Sequence, residues 1–171
     1  MGYLQDSQTT IYIPPTCAHR VTGTWSHAAG QVVDTICQSV NDANQTSKLT
    51  IPLMIFSNSN SQKGCKLKSV EIDYEITGAA LEEVTAVINK VTRGADTAVA
   101  VVTTPAFTYD TGHDTAAERL AKDQHKMTLT ITTPFWVDND EYVLVELTIN
   151  QAGDTGVFEL LGAFANVTLR L

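Results

Sequence analysis

Cysteine is scarce in this chain. Its 171 residues carry three, Cys17, Cys37 and Cys65, odd in number, widely spaced and without a CxxC pair. That excludes a full disulfide framework and a zinc ribbon, and leaves free thiols packed in or near the core as the expectation. Positive charge is also short: 11 Lys and Arg stand against 19 Asp and Glu, a formal charge of −8. Binding to a phosphate backbone relies on clustered Lys and Arg, so no nucleic-acid partner is expected. Long apolar runs are missing too. None approaches the roughly 20 residues of a membrane span, and the polar opening MGYLQDSQTT lacks the basic and apolar regions of an export signal. Asp6 stands where an N-myristoylation signal requires Ser or Thr. The expectation is a chain with no membrane partner and no lipid anchor, made and used without export.

What remains is ordinary globular material, with a hydrophobic fraction of 43% and a charged fraction of 18%. A chain of this length buries a sound core without staples. Its organising stretch is GCKLKSVEIDYEIT, residues 64–77. Val70, Ile72, Tyr74 and Ile76 alternate with Glu71, Asp73 and Glu75, the period of a strand with one buried face and one wet, acidic face.

Along the chain, residues 1–9 read as a polar N-terminal arm, frayed or docked on a neighbour, ahead of a single β domain over 10–171. Short strands are expected at 10–13, stopped by Pro14-Pro15, at 20–25 with an interruption at Gly23, and at 31–38. The run SKLTIPLMIF, residues 47–56, is a strand with a defect at Pro52, followed by an exposed loop over 57–64. Residues 79–84 contain helix formers, whereas 84–91 alternate and are β-branched. A turn and then a strand over 83–92 fits better. Residues 99–104 complete a hairpin with it. Thr115 and Glu118 have capping-box spacing, so 116–121 should form one or two helical turns within an insertion. A half-buried strand over 125–132 should end at Pro134, DNDE at 138–141 should turn the chain into a strand over 142–150, and a long terminal strand should break near Gly162. About eight to ten strands without βαβ alternation indicate an antiparallel β-sandwich with one short helical insertion, and the jelly roll is the commonest eight-stranded form.

Candidate sites are few. Asp110-Thr111-Gly112 and Asp154-Thr155-Gly156 repeat the tripeptide of aspartic proteases, but their neighbours are not the apolar and small residues that hold two carboxylates around one proton, and Asp-Thr-Gly is good turn sequence. His113 with Asp110 and Asp114, and Asp138 with Asp140 and Glu141, offer metal-ligand atoms without a complete spacing. Ser26-His27 lacks the context of a nucleophile elbow, and adjacent strand residues point to opposite faces. The stripe Glu71, Asp73 and Glu75 reads as a solvated sheet face before it reads as a basic partner's site. Trp25, Trp136, Tyr12, Tyr109 and Tyr142 suit either stacking on sugar rings or a core or subunit interface. No catalytic, metal or cofactor residues are assigned, and no enzyme is expected.

The segments LKSVEIDYEITGAALEEVTAVINKV, TYDTGHDTAAERL, HKMTLTITTPFWVDNDEYVLVELTI and LLGAFANVTLRL, within residues 67–171, together resemble β-rich virion structural proteins of tailed bacteriophages. The resemblance implies a capsid decoration or cement protein. Such a protein would be a homotrimer of small jelly rolls made in the host cytoplasm. It would bind the major capsid protein at the virion's capsid surface, with residues 1–10 clasping a neighbour. It brings no active-site residues. The alternatives are a lectin-like, carbohydrate-binding sandwich and a small jelly-roll capsid protein that forms the shell itself.

Overall fold

The computed structural model describes residues 6–27, 36–38, 46–55, 64–94, 99–151 and 155–170. Among them the strands are β1 (Asp6–Ile13), β2 (His19–Thr22), β3 (Trp25–His27), β4 (Ile36–Gln38), β5 (Thr46–Leu53), β6 (Cys65–Thr77), β7 (Glu83–Thr92), β8 (Val101–Thr103), β9 (Phe107–Tyr109), β10 (Gln124–Val137), β11 (Glu141–Asn150) and β12 (Val157–Arg170). The helix α1 (Ala116–Leu120) lies between β9 and β10. Its capping box forms as the spacing requires: Thr115 Oγ1 accepts from the Glu118 N–H, and Glu118 Oε2 accepts from the Thr115 N–H. These bonds satisfy two of the donors that a helix start leaves open.

All strand pairs are antiparallel, and they form two sheets. In the first, β6 lies between β12 and β10, and β9 lies beyond β10. One edge of β12 is shared: β4 covers Glu159 and Leu160, and β1 covers Ala163 to Arg170. The second sheet runs β2, β5, β11, β7, β8. The pairs β7–β8, β6–β10, β5–β11 and β1–β12 nest outward from one hairpin. The chain is therefore a doubled-back ribbon wrapped over two sheets, the jelly-roll form of an antiparallel β-sandwich. Leu49, Ile51, Val145 and Leu147 of the second sheet join Leu67, Val70, Ile72 and Leu129 of the first in one buried apolar core. Each such side chain stabilises the fold by about 1.5–3 kcal/mol of transfer energy.

Several boundaries differ from the sequence reading, each for a local reason. β1 starts at Asp6, so residues 6–9 of the expected arm are a strand on β12 of the same chain, and residues 1–5 lie outside the described residues. The expected strand over 20–25 is two strands in different sheets, β2 and β3. They separate at Gly23, whose φ of +89° and contact with Ser47 leave no room for a side chain. β10 does not stop at Pro134. It continues to Val137 through a register shift between Thr130 and Phe135, a bulge that lets a residue without an N–H pass along the ladder. Pro52 sits opposite Leu144 and beyond the reach of β2, which pairs with β5 only at Lys48 to Thr50. β9 was not anticipated, because three residues carry no readable period. Residues 31–35 of the expected third strand and residues 57–63 of the expected loop lie outside the described residues.

Candidate functional site

Register across β1, β12, β6 and β10 arranges their outward side chains in rows. Gln8, Thr168, Lys66 and Trp136 form one row, and Thr10, Asn166, Ser69 and Thr130 form the next. Tyr12, Phe164, Glu71 and Thr128 make the third. Thr10 Oγ1 donates to Asn166 Oδ1 at 2.7 Å, and Asn166 Nδ2 donates to Ser69 Oγ at 3.2 Å. The second row is thus a fixed strip of amide and hydroxyl groups. Tyr12 leans on Phe164 with ring centroids 5.0 Å apart and lies over Gly162, where a Cβ would come within 2.8 Å of the ring.

Two adjoining hollows open on this face. One, of about 350 Å³, is lined by Asp6, Gln8, Lys66, Lys68, Trp136 and Thr168. The other, of about 300 Å³, shares Gln8 and Lys68 and reaches Thr10, Ser69 and Asn166. Trp136 is half-buried, with Lys66 Nζ 5.9 Å from its ring centroid. Thr168 is only 6% exposed, and its Oγ1 has no hydrogen-bond partner among the described residues. A buried hydroxyl without a partner is costly, so this oxygen is a point where an incoming polar group is favoured.

The acidic stripe lies farther along the same face and is half-buried, because β12 and β10 flank β6 on both sides. Glu71 is paired with Lys126 at 2.9 Å. Burial, then the neighbouring Glu71, hold the Asp73 carboxyl above its ordinary range, with Lys126 opposing. Asp73 Oδ1 is also buried without a hydrogen-bond partner among the described residues.

A second polar cluster lies under the insertion. Asp110 Oδ1 meets His113 Nδ1 at 2.8 Å, His113 Nε2 meets His125 Nδ1 at 3.2 Å, and His125 Nε2 meets the Ala121 carbonyl at 2.8 Å. The carboxylate and the carbonyl at the two ends both accept. Three contacts therefore need three N–H protons, and two neutral imidazoles supply two. The line of contacts is complete only when the pair holds one more proton. Asp110 also accepts from the N–H groups of Thr128 and Gly112. Burial raises its carboxyl pKa, but these bonds and the one to His113 outweigh it and hold the group below its ordinary range. Arg119 covers the Tyr109 ring at 4.3 Å and donates to the carbonyls of Val84, His113 and Asp114. Tyr74 stacks on His125 and donates to the Arg119 carbonyl. Every ring nitrogen of the two histidines faces another group of the cluster. The cluster clamps the insertion to the sandwich.

The structure distributes the sequence candidates accordingly. Asp110 terminates β9, and Asp154 lies outside the described residues. His113 is turned toward Asp110 and His125, and no group of three or more metal-ligating side chains occurs among the described residues. Glu141 is bonded to Lys90 at 2.6 Å and accepts from the Asp138 N–H. The side chains of Ser26 and His27 lie outside the described residues. Trp25 is buried, its Nε1 donating to the Thr22 carbonyl, and Tyr109 is covered by Arg119. Of the five aromatics, Tyr12 and Trp136 reach the outer face of the first sheet, and Tyr142 is exposed on the second. Gln8, Lys66, Lys68 and Thr168 escaped the sequence reading. Their meeting depends on the register of β1 and β12, which lie at opposite ends of the chain.

No protein-family profile matches the chain, and no curated protein matches it. Among solved structures, the enzymatically active domain of bacteriophage CBA120 tailspike protein 4 aligns at 8% identity and a TM-score of 0.40. The alignment covers 95% of this chain and 19% of that one. The Agl-KA catalytic domain aligns at 10% identity and a TM-score of 0.42, over 95% of this chain and 28% of that one. The chain thus spans less than a third of either. A family 11 carbohydrate-binding module from Clostridium thermocellum, in complex with a β-1,3-1,4-mixed-linked tetrasaccharide, aligns at 10% identity and a TM-score of 0.34. That alignment covers 98% of this chain and 89% of the module. These values are too low to transfer a site, so the functional reading rests on this chain's own surface.

Proposed function

We propose that this β-sandwich is a non-catalytic carbohydrate-binding module that uses the outer face of β1, β12, β6 and β10. The observation that carries the reading is the half-buried Trp136 at the end of a hollow whose other walls are hydroxyl, amide, ammonium and carboxylate groups. An aromatic face packs on the C–H face of a pyranose, while fixed polar groups at its rim meet the sugar hydroxyls. The strip Thr10–Asn166–Ser69 extends the surface beyond one ring, as an oligosaccharide requires. No cofactor enters this reading.

A glycan array tests it. Binding should be saturable, should be lost in Trp136→Ala, and should persist in Trp25→Phe, whose ring lies in the core. An array with no bound saccharide, or binding indifferent to Trp136, refutes the reading.

A second reading is favoured by one other feature. Val99, Val101 and Val102 are each more than half exposed beside or on β8, a strand paired only with β7 among the described residues. An uncharged, aliphatic sheet edge is a ready seam between subunits. This supports a trimeric virion structural protein, a capsid decoration protein seated on the major capsid protein at the virion surface. Light scattering of the purified chain separates the two readings at the level of assembly. A stable three-chain species that binds empty capsids supports the second, and a monomer at all concentrations removes its trimeric form.

A further inference from the structure

Charge in the hollow narrows the class of sugar. We infer that the Trp136 hollow selects an anionic saccharide, one whose pyranose carries a carboxylate or sulfate that is held by Lys66 and Lys68. The inference rests on the carbohydrate reading above.

Three observations converge. First, the chain's other sheet lysines are matched: Lys48 to Glu146, Lys90 to Glu141 and Lys126 to Glu71, at 2.6 to 2.9 Å. Lys66 and Lys68 form no ion pair with a described residue, yet both line the same hollow. Two ammonium groups there face a single lining carboxylate, Asp6, in a chain whose overall charge is −8. Unmatched positive charge in an acidic protein concentrates an anion locally, and the concave wall strengthens the effect. Second, Lys66 lies 5.9 Å from the Trp136 ring centroid, so a sugar packed on the indole would bring its ring substituents beside the ammonium. Third, Thr168 stands between Gln8 and Lys66 in the same row, with its buried Oγ1 lacking a partner among the described residues. A carboxylate or sulfate oxygen accepts from this hydroxyl as well as from lysine, whereas a neutral hydroxyl gains nothing from the second charge. The hollow's volume of about 350 Å³ is at the small end of ligand clefts and suits one substituted ring.

The test is calorimetric titration of the full chain with matched probes: oligogalacturonate, the same oligomer fully methyl-esterified, a sulfated galactan oligomer and its desulfated form. The anionic member of at least one pair should bind about tenfold more tightly or better than its neutral partner, and the difference should shrink as salt is raised toward 0.5 M. Lys66→Gln/Lys68→Gln should abolish that preference while leaving weak binding to the neutral forms. Its melting temperature, unchanged within about 2 °C, shows that the fold is intact. Preference for the carboxylated or the sulfated probe identifies the substituent. Equal affinity for neutral and anionic members, still dependent on Trp136, overturns this inference and leaves the carbohydrate reading standing. Binding of none of the four, with an empty glycan array, overturns both.

Discussion

Replacing Asp110 by alanine should unclasp the insertion from the sandwich. The side chain accepts three N–H groups: Thr128 at 2.6 Å, His113 Nδ1 at 2.8 Å and Gly112 at 2.9 Å. The first of these continues the β9–β10 ladder, because the Asp110 backbone N–H donates to the Thr128 carbonyl while its carboxylate receives the Thr128 N–H. Hydrogen bonds to an ionised acceptor contribute about 1.5–3 kcal/mol each, but they are not additive. The carboxylate is also 32% exposed, so water recovers part of the loss. A net cost of about 2–4 kcal/mol follows, which lowers the melting temperature of a chain of this size by about 5–12 °C. The pH dependence fixes the cause. Unfolded, the carboxyl titrates near about 3.9, and folded it titrates lower, so its contribution is present above the unfolded value and fades as pH falls through the folded one. Melting of wild type and D110A, followed by circular dichroism from pH 7 to pH 3, should show the full gap at pH 6 and a narrowing gap below about pH 4. A gap under 1 °C at pH 6, or one that does not change in acid, refutes this account of the clamp.

Three other outcomes are expected. Lys90→Met should cost about 2–3 kcal/mol, because Glu141 is only 9% exposed and would keep a buried, unpaired charge. Lys48→Met, which breaks the more exposed pair with Glu146, should cost under about 1 kcal/mol, and equal costs in urea unfolding would count against the distinction. In a Cys37→Ser background at pH 8, Cys17 should react with a thiol reagent well before Cys65. The Cys65 thiol is fully buried, and burial pushes its pKa up to about 11, so equal labelling rates would contradict its placement. Gly162→Ala should destabilise by about 1–3 kcal/mol, since φ is +152° and the new methyl would press on the Tyr12 ring. An unchanged melting temperature would show that the β12 bulge does not need glycine.

The two functional readings use different parts of the fold. The carbohydrate reading uses the outer face of the first sheet, and the virion reading uses the β8 edge of the second. A Lys66 and Lys68 variant therefore leaves the proposed seam untouched. A Val101→Lys and Val102→Lys variant leaves the Trp136 hollow untouched, so assembly and sugar binding are separable by mutation.

The sequence alone determined what is local. The alternation at Val70, Ile72, Tyr74 and Ile76 specified β6 with its buried face, and the Thr115–Glu118 spacing specified α1 with its cap. β-Branched runs over 83–92 and 142–150 specified two neighbouring strands almost to the residue. These follow from periods of two or four residues, which a window on one segment contains. Only the tertiary structure decided the rest. It set Gln8, Thr168, Lys66 and Trp136 in one row, carried β10 past Pro134, and buried His113 and His125 against each other. It also divided the tryptophans, sending Trp25 into the core and leaving Trp136 at a hollow. The physical reason is register. Which face a residue shows is fixed by its own strand, but which residues stand beside it is fixed by pairing between strands far apart in the chain. A slip of one position would move every side chain to the other face.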